Sequence, residues 1–333
     1  MSGLGMSCVK PPIVCVVGPT GTGKSALAVQ IAQRVQGEIV NCDSRQVYSD
    51  FPCITAQPGA EDHAQCAHHL YGFLPTHEAM HAGRFMDLAR QKIEELRCRK
   101  VLPILVGGTG LYLRALIYGL APIPRVPPEV HDQIQRECAV SGPQALHRRL
   151  QTVDAQSAAR IHPRDGQRIT RALEVHAATG RSLSWWMRTY PCDQPRYSAL
   201  VLGLESDLQS LVPRLEHRIE RMCTQGALQE VERAWINCPQ ESAPGWTGIG
   251  CWDLLQAYLG KATLAEAKDI WLKKTRAYAK RQLTWFRKEK GILWCSELEE
   301  ETVIRMVWEW MDPGCSIPFV SHKKNPPLSL PSA

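Results

Sequence analysis

The chain has 333 residues, 44% hydrophobic and 22% charged, with a formal net charge of +6. This is ordinary globular composition, long enough for one large domain or two modest ones. The mild basic excess permits an anionic partner without demanding one. No run approaches the roughly 18 apolar residues of a membrane span.

The thirteen cysteines contain no C-x-x-C pair, and MSGLGMSCVKPP at the start has neither a long apolar run nor a basic opening. Reduced cysteines in a cytoplasmic protein are expected.

In chain order, Pro11 and Pro12 introduce an apolar strand, Ile13 to Val17. A glycine-rich loop follows, and then a helix with Leu27, Ile31 and Val35 at helical spacing. EIVNC reads as a second strand. The polar segment from His63 to His81 carries five histidines and Cys66. Its spacing fits no standard zinc pattern, so it reads as a solvated segment. RFMDLARQKIEELRCRK predicts a helix, and VLPILVGG a strand buried on both faces. Strands alternating with helices predict a parallel α/β sheet.

The pattern then changes. From Ala121 to Pro195 a proline-rich lead gives way to helical stretches without strands, an inserted all-helical subdomain. YSALVLGL resumes the sheet. Helices are predicted over Leu208–Arg221, Ala227–Trp235 and about Thr263–Arg287. The expected division is a discontinuous core, 1–120 plus 196–312, a helical insertion, 121–195, and a disordered proline- and serine-rich tail, 313–333.

GPTGTGKS, spanning Gly18, Pro19, Thr20, Gly21, Thr22, Gly23, Lys24 and Ser25, matches G-x-x-x-x-G-K-[ST] between a strand and a helix. Its backbone N–H groups and the helix N-terminus form an anion nest. Lys24 reaches a terminal phosphate, and the Ser25 hydroxyl can ligate Mg²⁺. The motif reads the anion and is blind to the molecule that carries it.

The second strand ends in NCDSRQVY and the third in VGGTGLY, which puts Asp43 and Thr109 on the rim where α/β sheets hold ligands. Position alone leaves Asp43 open between metal ligand, general base and ordinary turn residue. VGGTG lacks the acid a kinase keeps at a strand end. Lys268 to Lys290 holds nine Lys/Arg against two acids. Trp271, Tyr278 and Trp285 recur on one face of it, a stripe best read as core packing. The basic residues between them are candidates for nucleic-acid phosphates. Arg164, Arg168 and Arg171 share a helix side and alone read as charged surface.

GPTGTGKS, DSRQVY, VGGTGLYLRAL, RIHPRDGQRITRALEV and TRAYAKRQLTWFRK, in this order, resemble the tRNA dimethylallyltransferases (tRNA isopentenyltransferases), from about Pro12 to Trp294. The resemblance implies a P-loop NTPase-like parallel sheet flanked by helices, with the loop holding dimethylallyl diphosphate and not ATP. It implies transfer of the five-carbon group to N6 of adenine 37 of tRNA, with Mg²⁺. Asp43 is then the general base, Thr109 lies at the reaction centre, and Arg218 clamps the diphosphate. From the residues alone Arg218 reads as a solvated helix charge.

tRNA contacts are implied at Ser44, Arg45, Gln46, Gln167, Arg168 and Arg171, and at His131 where the family often has Arg. The insertion would grip the anticodon stem. A monomer is expected.

The chain departs from the family pattern at Ile54, Gln57 and Cys251, where Gly, Lys and Tyr are usual. Three other activities are weighed: dimethylallyl transfer to free nucleotides, small-molecule phosphorylation, and RNA binding without catalysis. The basic helix and the insertion argue against the first, the missing strand-end acid against the second, and Lys24, Ser25 and Asp43 against the third.

Overall fold

In the computed structural model, residues 10–295 and 299–311 are described. They divide into two compact units. The first is formed by the chain up to Ile117 and from Arg196 onward, and the second by Tyr118–Pro195. The expected tail lies outside the described residues.

The first unit is built on six parallel strands in the order β3-β2-β4-β1-β5-β6. They are β1 (Pro12–Val17), β2 (Gly37–Asn41), β3 (His68–His69), β4 (Leu102–Gly107), β5 (Ser198–Gly203) and β6 (Ile292–Trp294). Register is set by Val14 opposite Ile104 and Leu200, and by Ile39 opposite Ile104. Nearly every residue of β1 and β4 is buried, because helices cover both faces of a parallel sheet. Four strands match the sequence reading. The two edge strands were not anticipated, since two or three residues carry no readable period.

Around the sheet lie α1 (Lys24–Val35), α2 (Ala60–Gln65), α3 (Ala82–Cys98) and α4 (Gly110–Tyr118). The second unit supplies α5 (Pro128–Val153), α6 (Ala155–Ala158), α7 (Gly166–Thr179) and α8 (Leu183–Thr189). Then come α9 (Leu208–Thr224), α10 (Ala227–Asn237), α11 (Cys251–Tyr258), α12 (Leu264–Phe286) and α13 (Glu300–Met311).

One face of the sheet, with Val14, Val16, Ile104, Val106 and Leu202, packs on Ile31 of α1 and Val303, Ile304 and Val307 of α13. A second core joins Tyr48, Phe51 and Trp246 to α9, α10, α11 and Trp271 of α12. Ile54 is buried in it, 5% exposed, so this departure from the family pattern has become a core residue. Glu230, itself buried, accepts from the Cys53 and Ile54 N–H groups at 2.6 and 3.0 Å and pins that turn. Gln57 donates to the Tyr48 carbonyl at 2.7 Å, and Cys251 is buried against Gly248.

In the histidine-rich segment His63, His77 and His81 are exposed and His68 and His69 half-buried, as a solvated segment requires. His63, His68 and Tyr71 meet edge to edge, and His69 bonds Glu38 at 2.7 Å. Among the described residues no cluster of three or more His, Cys, Asp or Glu is arranged to hold a metal, and no helix is long and apolar enough to cross a membrane.

The second unit has its own core of Ile134, Leu146, Leu150, Ile169 and Leu173. Gly142, with φ 75°, breaks α5 ahead of Pro143. Asp165 caps α7 by accepting from Arg168 N.

Candidate active site

The loop between β1 and α1 turns sharply. Gly18 has φ 144°, and a Cβ there would sit 2.1 Å from the Leu204 carbonyl oxygen at the end of β5, so only glycine fits. Gly23, in the left-handed region, caps α1 without a side-chain bond. The first-turn N–H groups of α1 therefore have no side-chain cap and are disposed toward an anion, with the helix dipole behind them. Thr22 Oγ1 and Lys24 Nζ both donate to the Pro19 carbonyl, at 2.9 and 2.6 Å. Burial pushes the Lys24 ammonium down to about 8, opposed by Asp43 and reinforced by Arg218.

Asp43 follows β2. Its backbone is held by Asn41, which is fully buried. Asn41 Oδ1 accepts from Asp43 N at 2.8 Å, and its Nδ2 donates to the Asp43 and Leu70 carbonyls at 3.0 and 2.9 Å. Asp43 Oδ1 accepts from Arg45 N at 2.8 Å. Thr109, after β4, accepts from Ser44 N at 3.0 Å and so ties the two strand ends together.

Arg218, on α9, is far from the solvated charge that its residues alone suggest. Burial and then Arg221 lower its pKa, against the attraction of Asp43. Asp43 and Arg218 are thus both close enough to Lys24 to act on its ionisation.

α12 closes the site from above. Its aromatic stripe divides: Trp271 is core, whereas Tyr278 adjoins Thr109, with its phenol pushed up by burial and by Asp43. Trp285 lies against Gly110. Asn41, Tyr278 and Gln282 were given no site role by the sequence reading.

Several bases of α12 are engaged. Lys268, Lys273 and Lys274 pair with Glu220, Asp269 and Asp253, Arg287 just past the helix pairs with Glu205, and Arg281 lies 5.7 Å from the Tyr278 ring centre. A cavity of about 290 Å³ between α9 and α12 is lined by Leu211, Val212, Leu215 and Ala279, with Arg276 and Lys280 among its walls. Leu211 and Leu215 also border Gly21 of the loop.

The residues expected to meet tRNA fall in both units. In the first, Arg45 donates to Thr247 Oγ1 at 2.7 Å, and Gln46 commits its amide N–H groups to the Thr55 and Ala56 carbonyls. In the second, His131, 2.9 Å away, and Arg171, 3.9 Å away, share the buried Glu174. Arg168 is largely exposed, and Gln167 lies beside it on α7. α8 adds a surface cluster not anticipated from sequence. There Trp186 stacks on Tyr190, and Arg181 lies 5.1 Å from the Trp185 ring centre.

A parallel sheet with a phosphate-type loop at its first strand, and ionisable groups gathered at the strand ends, defines an α/β enzyme built to bind an oxyanion and work beside it. Residues 46–289 match the family model described as IPP transferase, and residues 11–71 match the one described as isopentenyl transferase. The chain is 52% identical to a tRNA dimethylallyltransferase of Nitratidesulfovibrio vulgaris, covering 93% of this chain and 100% of that one.

Among solved structures it is similar to the full-length tRNA isopentenylpyrophosphate transferase of Bacillus halodurans, with TM-score 0.65, 32% identity, and 90% and 94% of the two chains covered. It is also similar to a eukaryotic dimethylallyltransferase acting on tRNA, with TM-score 0.72, 28% identity, and 86% and 75% covered. The chain belongs to the IPP transferase family and is an enzyme of the transferase class.

Proposed function

We propose that this enzyme transfers the dimethylallyl group of dimethylallyl diphosphate to N6 of adenine 37 in tRNA, in the cytoplasm and as a monomer. The observation that carries this is the convergence of Lys24, Asp43 and Arg218 at the strand ends beside Thr109 and Tyr278. The bond from C1 of the donor to the bridging oxygen breaks, and its electron pair leaves with the diphosphate. A bond forms from N6 to C1, and N6 gives up a proton.

Charge grows on the leaving oxygens, where fixed donors stabilise it most. The loop N–H groups from Gly21 to Ser25, the Lys24 ammonium and the Arg218 guanidinium are those donors. Asp43 accepts the proton. Its Oδ1 accepts from Arg45 N, which holds the carboxylate in place. Thr109 orients the acceptor amine. The apolar walls of the cavity beside Gly21 suit a five-carbon chain.

Mg²⁺ fits the residues present. Ser25 opens on a small cavity of about 50 Å³ that Gln46, Asp62 and Tyr71 also line. Ile39, Ala56, Pro58 and Val106 add apolar walls, and the few oxygens present suit an ion that takes few protein ligands and keeps its waters. When bound, the ion neutralises diphosphate charge. Ser44, Arg45, Gln46, Gln167, Arg168, Arg171 and His131 are the proposed tRNA contacts, Gln46 through its Oε1. A base buried in the anticodon loop must be splayed out before it can react.

The test is incubation with Mg²⁺, labelled dimethylallyl diphosphate and unmodified tRNA, with AMP and ATP in parallel. Label in tRNA alone, retained at N6 of adenine 37 after digestion, is the expected result. Label in the free nucleotides would make the acceptor a nucleotide. No label in any acceptor would remove prenyl transfer altogether.

A further inference from the structure

Gln282 has no part in the mechanism above, yet it touches both halves of the site. It is 4% exposed, in the C-terminal half of α12. Its Oε1 accepts from Thr20 N, within the phosphate loop, at 2.9 Å. Its Nε2 donates to the Gly108 carbonyl, one residue before Thr109, at 3.0 Å. A Cβ on Gly108 would fall 1.8 Å from Gln282 Nε2, so the absence of a side chain there admits the amide.

Tyr278 lies one turn before Gln282 and adjoins Thr109, and Trp285, one turn after, packs on Gly110. The helix thus meets the two loops over about two turns, a rise of about 10 Å.

A buried primary amide is retained only when its donor and acceptor are both answered. Here they are answered by backbone groups of two loops that follow different strands, β1 and β4. The requirement is asymmetric: an acceptor toward Thr20 and a donor toward Gly108. Asn has this chemistry but is one methylene short. An ionised Glu turns an oxygen on the Gly108 carbonyl and sets a negative charge beside the phosphate loop. A protonated Glu restores both bonds.

We propose that Gln282 is a positioning residue. It locks the phosphate loop to the loop carrying Thr109, so that leaving group and acceptor are held in one register. The proposal rests on the prenyl-transfer reading of this site.

The experiment compares full-length wild type, Gln282→Leu and Gln282→Glu in steady-state transfer to tRNA, alongside calorimetry with inorganic diphosphate. A misplacement of about 1 Å between reacting groups costs on the order of 10²-fold in rate. Gln282→Leu is accordingly expected to lose about that factor in kcat, with KM for tRNA unchanged within about twofold. Burial at this position, 4% exposed, raises a carboxyl's pKa by up to about 3–5 pH units, so the activity of Gln282→Glu relative to wild type should rise as pH falls from about 8 to about 5.5.

A folded Gln282→Leu with kcat within threefold of wild type overturns the proposal. So does a pH-independent ratio for Gln282→Glu, which decides the matter if the leucine variant fails to fold. Should wild type transfer nothing to tRNA, the prenyl-transfer reading fails by itself and calorimetry judges the lock. Diphosphate binding about tenfold weaker in Gln282→Leu then supports it, and unchanged binding overturns it.

Discussion

α12 of the first unit and α7 of the second both look basic in sequence, yet they use their charges differently. On α12 three of the six cations, Lys268, Lys273 and Lys274, pair with Glu220, Asp269 and Asp253, and the inward face presents Tyr278, Gln282 and Trp285 to the strand-end loops. On α7 the inward face carries Ile169, Ala172 and Leu173 together with the buried Glu174, which bonds to His131 and Gln135 of the neighbouring α5, and Arg168 and Arg171 are exposed. Charge density is a poor guide to which helix serves chemistry. The polar groups a helix buries, and what they are bonded to, distinguish the two.

This contrast yields predictions that separate chemistry from grip. Asp43→Ala should lose about 10²–10⁴-fold in kcat, the usual worth of a general base. Binding of tRNA and of diphosphate, measured by filter retention and calorimetry, should stay near wild type. Full activity in this variant would remove Asp43 from the mechanism.

The Lys24 ammonium, held down to about 8, sets the next effect. Below that pH it is charged and grips the diphosphate. Above it the free enzyme loses the charge, so kcat/KM for the donor should fall about tenfold per pH unit. Stability moves the other way. Between about 8 and the ordinary lysine value the folded chain binds fewer protons than the unfolded one, so this residue makes the fold more stable as pH rises through that window. A donor profile flat to pH 9.5 would show that Lys24 does not carry binding.

The smallest effects belong to α7. Arg168→Ala with Arg171→Ala should weaken tRNA binding and lower the slope of log K against log salt by about one for each phosphate left without its arginine. Saturating kcat should stay unchanged, and stability should shift by no more than about 0.5 kcal/mol for each surface change. A loss of kcat without a change in salt slope would erase the distinction between the two helices.

Much of the first unit was legible. The strands β1, β2, β4 and β5 and the loop before α1 announce themselves by apolar runs and glycine spacing, and the helices α9, α10 and α12 by their periodicity. The edge strands were not, because β3 is only His68–His69, set within a polar segment. Asp43 and Thr109 could be placed at strand ends, but position alone could not say what surrounds them.

Asn41 was hidden because its role is a set of backbone bonds, two of them reaching only to Asp43 and one to Leu70. Gln282 was hidden for the opposite reason, since its partners lie 262 and 174 residues away and leave no local pattern. The seven-residue aromatic spacing revealed a buried face without revealing that part of it borders Thr109 and Gly110. Arg218 was misread from its charged neighbours, since nothing in RLEHRIERM says which arginine turns inward.

The chain leaves the first unit at Ile117 and rejoins it at Arg196, and the Arg196 N–H donates to the Ile117 carbonyl at 2.7 Å. Exit and return are one doorway. For a flexible excursion, closing such a doorway grows costlier only logarithmically, by about 0.6 kcal/mol for each doubling of its length. An excursion that folds on its own core replaces that floppy loop with a fixed span. Tyr118–Pro195 can therefore lengthen, shorten or diverge with little effect on whether β4 and β5 flank β1, and the sheet that carries the chemistry is free of the history of the segment inserted into it.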